Sequence, residues 1–123
     1  AVLDSCRDDR ISAAAVVAPP RIDLEGGEFR FSGRPLLIVH GTADQIIGLD
    51  QSEAVHAEAD DALLVSVLDA DHFQTVYGYE RPEVLSISEE LLTTFFDVHL
   101  AGVAELDELE GVFAKHADEV TVR

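Results

Sequence analysis

The stretch Pro35-Leu-Leu-Ile-Val-His-Gly-Thr-Ala-Asp44 decides how this chain is read. Four apolar residues, Leu36 to Val39, follow Arg34-Pro35 without a polar break, and the run ends at His40-Gly41 before a polar turn carrying Asp44. Such an unbroken run predicts a strand buried on both faces, as in a parallel sheet. Side chains at the carboxyl end of such a strand face the crevice where open α/β sheets bind ligands, which puts Asp44 in a position to do chemistry. The arrangement recurs where Leu63-Leu-Val-Ser-Val-Leu68 runs into Asp69-Ala-Asp-His72. Two neighbouring parallel strands would bring a carboxylate and an imidazole to one rim.

An Asp and then a His, each in the turn after a strand, is the order of the last two triad members in α/β-hydrolases. The run PLLIVHGTADQIIGLDQSEAVHAEADDALLVSVLDADHF resembles the C-terminal part of that fold, in the style of its dienelactone hydrolase and polyester hydrolase or cutinase-like branches. The resemblance implies that Asp44 is the triad acid and His72 the base of a carboxylic-ester hydrolase. It further implies that Ile46, two positions beyond the acid, lines the acyl cleft. Phe73, directly after His72, is expected at the rim of the same site as a substrate contact or as loop packing.

The third triad member is missing, since no G-x-S-x-G occurs in the sequence. Ser5, Ser12 and Ser32 lack the glycine-flanked elbow, while Ser52, Ser66, Ser86 and Ser88 fall in helix, strand or cap contexts. The expectation is therefore a partial α/β-hydrolase, residues 1–123 as a single domain, with the N-terminal strands and the nucleophile elbow upstream of Ala1. With no methionine present, Ala1 reads as a processed start or as an internal residue of a longer chain. Such a piece should be inactive alone and should need its missing half or a second copy.

Composition bounds the rest. The chain of 123 residues is long enough for one core, hiding somewhat under about 70% of its unfolded surface. With 47% apolar and 27% charged residues it reads as a soluble globular protein, cytoplasmic or secreted, with no membrane segment and no visible leader, so that a signal peptide is expected to be absent or already removed. Against 25 acidic residues stand 8 basic ones, a net charge of −17 that repels phosphate backbones and argues against nucleic-acid binding. A GC-rich genome or a salt-adapted host would each account for the acidity. Cys6 is the single cysteine, so no disulfide forms within the chain.

In chain order, Ala1 to Arg10 reads as the fraying end of a helix, and Ile11 to Ala18 as a small-residue strand closed by Pro19-Pro20. Residues 19–34 read as a connection or loose hairpin. Asp50 with Glu53 predicts a capping box starting a helix to about Asp60, which completes a βαβ crossover and carries His56 on its surface. Phe73 to Leu85 reads as an aromatic loop with a proline stop at Pro82. Ser86 with Glu89 predicts a second capping box, and Leu91, Leu92, Phe95, Phe96 and His99 recur at helical spacing as a core face. Gly102 should stop or kink that helix before a last one bearing Leu106, Leu109 and Phe113.

Other chemistries have weaker support. His40, Asp44 and His72 include two imidazoles and a carboxylate, but there is no H-E-x-x-H and no cysteine cluster, so no metal is expected. No Gly-rich phosphate loop is present and no cofactor is implied. Two function classes therefore remain. One is the hydrolase portion acting on a small-molecule or polymeric ester. The other is a noncatalytic α/β module that self-associates or binds a partner through an exposed sheet edge.

Overall fold

A computed structural model of the chain describes residue 8, residues 10–21 and residues 33–123. Four strands form one sheet in the order β1 (Ala14–Val17), β2 (Leu36–Gly41), β3 (Ala62–Val67) and β4 (Val120–Val122). The first three run parallel, and β4 pairs antiparallel with β3. Helices α1 (Leu49–Glu58), α2 (His72–Tyr77), α3 (Pro82–Phe96) and α4 (Leu106–Lys115) flank it, giving an α/β fold with a mostly parallel sheet.

Every residue of β2 is buried, which is why its sequence shows no alternation. The pleat splits its apolar residues between two cores. Leu36, Ile38 and Leu64 pack with Val55 of α1 on one face. On the other, Leu37, Val39, Val65 and Val67 meet Val84, Ile87, Leu91 and Phe95 of α3 and Leu109 and Val112 of α4. Fully burying side chains of this size is worth about 1.5–3 kcal/mol each, so the two-sided burial of β2 and β3 anchors the sheet. The βαβ crossover from β2 through α1 to β3 then sets the two strand ends side by side, with His40 opposite Ser66 and Gly41 opposite Val67.

Several local readings change. Helix α1 starts at Leu49 on an extended Gly48, without a side-chain cap. The expected Asp50–Glu53 capping box does not form because the helix begins ahead of Asp50, which places Asp50 inside the first turn; Glu53 pairs instead with Arg123 of the C-terminal tail at 2.6 Å. The expected aromatic loop is partly helical. Asp71 accepts from the Gln74 amide at 2.8 Å and Gln74 returns the bond at 3.1 Å, a capping box that starts α2, and Gly78 ends it in the left-handed region. Pro82 starts α3 rather than stopping a loop, since the first turn needs no amide from it. Ser86 consequently sits inside the helix, donating to the Pro82 carbonyl at 3.1 Å instead of capping.

Of the expected core stripe, Leu91 and Phe95 are fully buried while Leu92, Phe96 and His99 are half-buried. The helix loosens into a π-helical turn at Asp97–Ala101 and ends at Gly102 in the left-handed region, as the glycine implies. Strand β4 goes beyond the expected elements, and its three residues cover the β3 edge. The readings of residues 1–7, 9 and 22–32, including Cys6, Ser5 and Ser32, lie outside the described residues.

Candidate active site

The turns after β2 and β3 are joined before any side-chain chemistry begins. The Thr42 amide donates to the Val67 carbonyl and the Ala43 amide to the Ala70 carbonyl, both at 2.9 Å, and Thr42 Oγ1 accepts from the Asp69 amide at 2.9 Å. Gly41 permits this approach. A Cβ there would collide with the Ala70 carbonyl oxygen and with Thr75 Oγ1. Asp69, with a φ of 53°, turns the chain sharply out of β3 toward Asp71 and His72.

Asp44 is held by donors on both oxygens. Its Oδ1 accepts from the Ile46 and Ile47 amides at 2.9 Å each, and its Oδ2 lies 2.8 Å from His72 Nδ1. The carboxylate is fully buried. Burial alone would raise its pKa, but the Ile47 amide, the His72 ring and the Ile46 amide together outweigh it and hold the carboxyl below its ordinary range. A carboxylate accepts and cannot donate, so His72 Nδ1 carries the hydrogen, and Nε2 of the neutral ring is left with its lone pair.

His72 is 19% exposed at its side chain, and no described residue engages its Nε2. The ring borders an open cleft of about 250 Å³ shared with Ala43, Gln45, Ile46, Asp71 and Phe73. Ile46 and Phe73 are both more than half exposed, which an apolar residue in a cleft wall is and a core residue is not. Phe73 stands edge-on to His72 and stacks on Tyr77 with ring centres 6.4 Å apart. Phe73 and Tyr79 border a second depression, wholly apolar, of about 250 Å³. The sequence-derived set of Asp44, His72, Ile46 and Phe73 thus converges on one place.

From sequence His40 joins Asp44 and His72 only as a weakly supported metal set and Ser52 is set aside in a helix context; the structure brings the two together beside Asp44. His40 is fully buried, with Nε2 2.8 Å from the Ile47 carbonyl and 3.3 Å from Asp44 Oδ2, and Nδ1 2.6 Å from Ser52 Oγ. Both ring nitrogens are therefore engaged. Among the described residues no group of three or more His, Cys, Asp or Glu side chains is arranged to hold a metal. No described serine has the environment of a nucleophile at His72. Ser12 is exposed ahead of the amino end of β1, Ser52 is buried at His40, Ser66 is buried in β3, and Ser86 and Ser88 bond back to their own helix. No helix of the described residues is long and apolar enough to cross a membrane. No protein-family model matches the chain, and no curated protein matches it at a significant level.

Proposed function

We propose that this chain supplies the acid and base of a serine α/β-hydrolase acting on carboxylic esters, as the C-terminal portion of that fold. The observation that carries the reading is the 2.8 Å pair between buried Asp44 Oδ2 and His72 Nδ1, at the ends of adjacent parallel strands, with His72 turned to an open cleft. In that reading Nε2 takes the proton of a serine hydroxyl as the oxygen attacks the ester carbonyl, and returns it to the departing alcohol. Asp44 fixes the tautomer and stabilises the imidazolium formed in between. The serine and the oxyanion donors come from a segment preceding Ala1 or from a second chain.

The substrate is an uncharged small-molecule or polymeric ester with an apolar body. Ile46, Phe73 and Tyr79 offer apolar walls in the two depressions that Phe73 borders, and a chain of net charge −17 disfavours anionic esters. No cofactor takes part in the proposed chemistry.

A serine-reactive fluorophosphonate tests the assignment, read by intact mass and peptide mapping of the preparation. Labelling of a serine on a longer or co-purifying chain, lost at least about 100-fold in His72→Ala, is the expected result. An adduct on a serine of residues 1–123 would overturn the placement of the nucleophile. A folded preparation with no adduct at all would favour the second reading, a noncatalytic module that associates through its sheet edge. That reading draws on β1, which pairs only with β2 among the described residues and whose Ala15, Val16 and Val17 are only half-buried.

A further inference from the structure

His40 invites the simplest account, that of a core residue at the end of a buried strand. A leucine would fill comparable space without an imidazole to desolvate, so the polar ring calls for a polar reason. The Ile47 carbonyl can only accept, so Nε2 carries the hydrogen, and Nδ1 of the neutral ring accepts from the Ser52 hydroxyl. Both bonds are short and sealed from water, with His40 and Ser52 each showing no exposed surface. Ser52 belongs to α1, which packs on the sheet through Val55, so the ring is tied to the rigid body of the fold.

The other end of the ring reaches the acid. Ile47 gives its carbonyl to His40 and its amide to Asp44 Oδ1, while His40 Nε2 also lies 3.3 Å from Asp44 Oδ2. A continuous series of contacts therefore runs from Ser52 Oγ through His40 and the Ile47 residue to Asp44, and on to His72 Nδ1. We propose that His40, anchored by Ser52, is a positioning residue that orients the Asp44 carboxylate toward His72. The turn from Thr42 to Gly48 has no regular secondary structure to hold it, and this ring supplies the reference it lacks. The inference rests on reading Asp44 and His72 as the working pair, and it adds a residue that touches neither His72 nor the cleft.

Nitrogen-detected NMR of the histidine rings reads the outcome without turnover, in the chain as it stands. The wild-type protein should show His40 as the Nε2–H tautomer and a protected Nδ1–H proton on His72, the latter assigned by its disappearance in His72→Gln. Ser52→Ala removes one oxygen. It should leave His40 as the Nε2–H tautomer, which the Ile47 carbonyl sets, but free the Nδ1 end of the ring and abolish the protected His72 signal while the amide spectrum stays native, and Ser52→Thr should restore it. An unchanged His72 proton in folded Ser52→Ala overturns the proposal, and so does a loss that Ser52→Thr fails to reverse, which would be a packing effect. If Ser52→Ala does not fold, His40→Leu carries the test, because it keeps the bulk of the ring and removes both of its hydrogen bonds. Loss of the His72 signal there, with a native amide spectrum, supports the proposal and its retention refutes it. Failure of the fluorophosphonate test would sink the esterase reading alone, since these signals report the hydrogen bonds whether or not an ester is cleaved.

Discussion

The carboxyl end of β2 and the start of α2 each contribute a histidine, and the two rings have opposite fates. His40 is the last but one residue of β2, fully buried, with a partner at each nitrogen. His72 opens α2, is held at Nδ1 alone, and keeps Nε2 on the cleft side. Both sit within hydrogen-bond or near hydrogen-bond distance of the same Asp44 oxygen, at 3.3 and 2.8 Å. What separates a structural imidazole from a chemically available one here is therefore whether a nitrogen is left over, not proximity to the acid.

The sharpest way to break this comparison is to push the two turns apart. Gly41→Ala sets a Cβ against the Ala70 carbonyl and Thr75 Oγ1, backbone and a buried side chain that cannot swing away. A loss of about 3 kcal/mol or more in urea unfolding is expected. Asp44→Asn comes next. Its side-chain oxygen keeps only one of the two acceptor positions, and its NH2 facing His72 Nδ1–H would oppose donor to donor, so about 2 kcal/mol should be lost and the His72 tautomer should switch. Calorimetry gives the first quantity and ring NMR the second. An Asp44→Asn protein with unchanged stability and an unchanged His72 ring would remove Asp44 from its central place.

Acidity probes the same carboxylate more gently. Its folded pKa lies below the ordinary 3.8, as that of Glu90 lies below 4.5, the latter because His116 and Lys115 bond its carboxylate. A group lowered in the folded state binds more protons when unfolded, so its contribution is complete above the unfolded value and disappears as pH falls through the folded one. The urea midpoint should thus hold down to about pH 5 and decline below it, with a shallower decline in Asp44→Asn. A midpoint that rises on acidification would contradict the hydrogen-bond assignment at Asp44.

How far these features can be read from the sequence depends on the range of the interaction that makes them. The unbroken apolar runs at Leu36–Val39 and Leu63–Val65 reveal two buried strands because burial on both faces writes itself into every position. Asp44 and His72 are legible as strand-end residues once parallel pairing is inferred. The Asp71–Gln74 capping box is equally local, but the aromatic residues around it read as a loop and mask it. His40, by contrast, is legible as a strand-end neighbour of Asp44 but not in its role, which depends on Ser52 twelve residues on and on a carbonyl in an irregular turn. The Asp50–Glu53 cap fails for a nearer reason, since the helix starts at Leu49 and leaves Asp50 inside its first turn.

Away from the two turns, the α3–α4 contact should respond weakly. Glu90 accepts from Lys115 Nζ at 2.8 Å and lies 2.8 Å from His116 Nε2, but Lys115 is largely exposed and the pair is screened. Glu90→Gln should cost only about 0.5 kcal/mol and less in high salt.

Ser66 marks the smallest effect and the finest contrast with Ser52. Both are buried serines near His40, Ser66 directly opposite it in the β2–β3 register. Ser52 gives its hydroxyl to the ring, whereas Ser66 Oγ has no hydrogen-bond partner among the described residues. A buried hydroxyl without a partner is a cost carried by the folded state, so deleting it should do no harm. Ser66→Ala should leave stability unchanged or raise it by up to about 1 kcal/mol, where Ser52→Ala lowers it by about the same amount. The difference between two oxygens of equal burial would then measure the bond to His40 itself. A Ser66→Ala protein destabilised as much as Ser52→Ala would place a second serine in the support of that ring, and the distinction drawn between the two would fail.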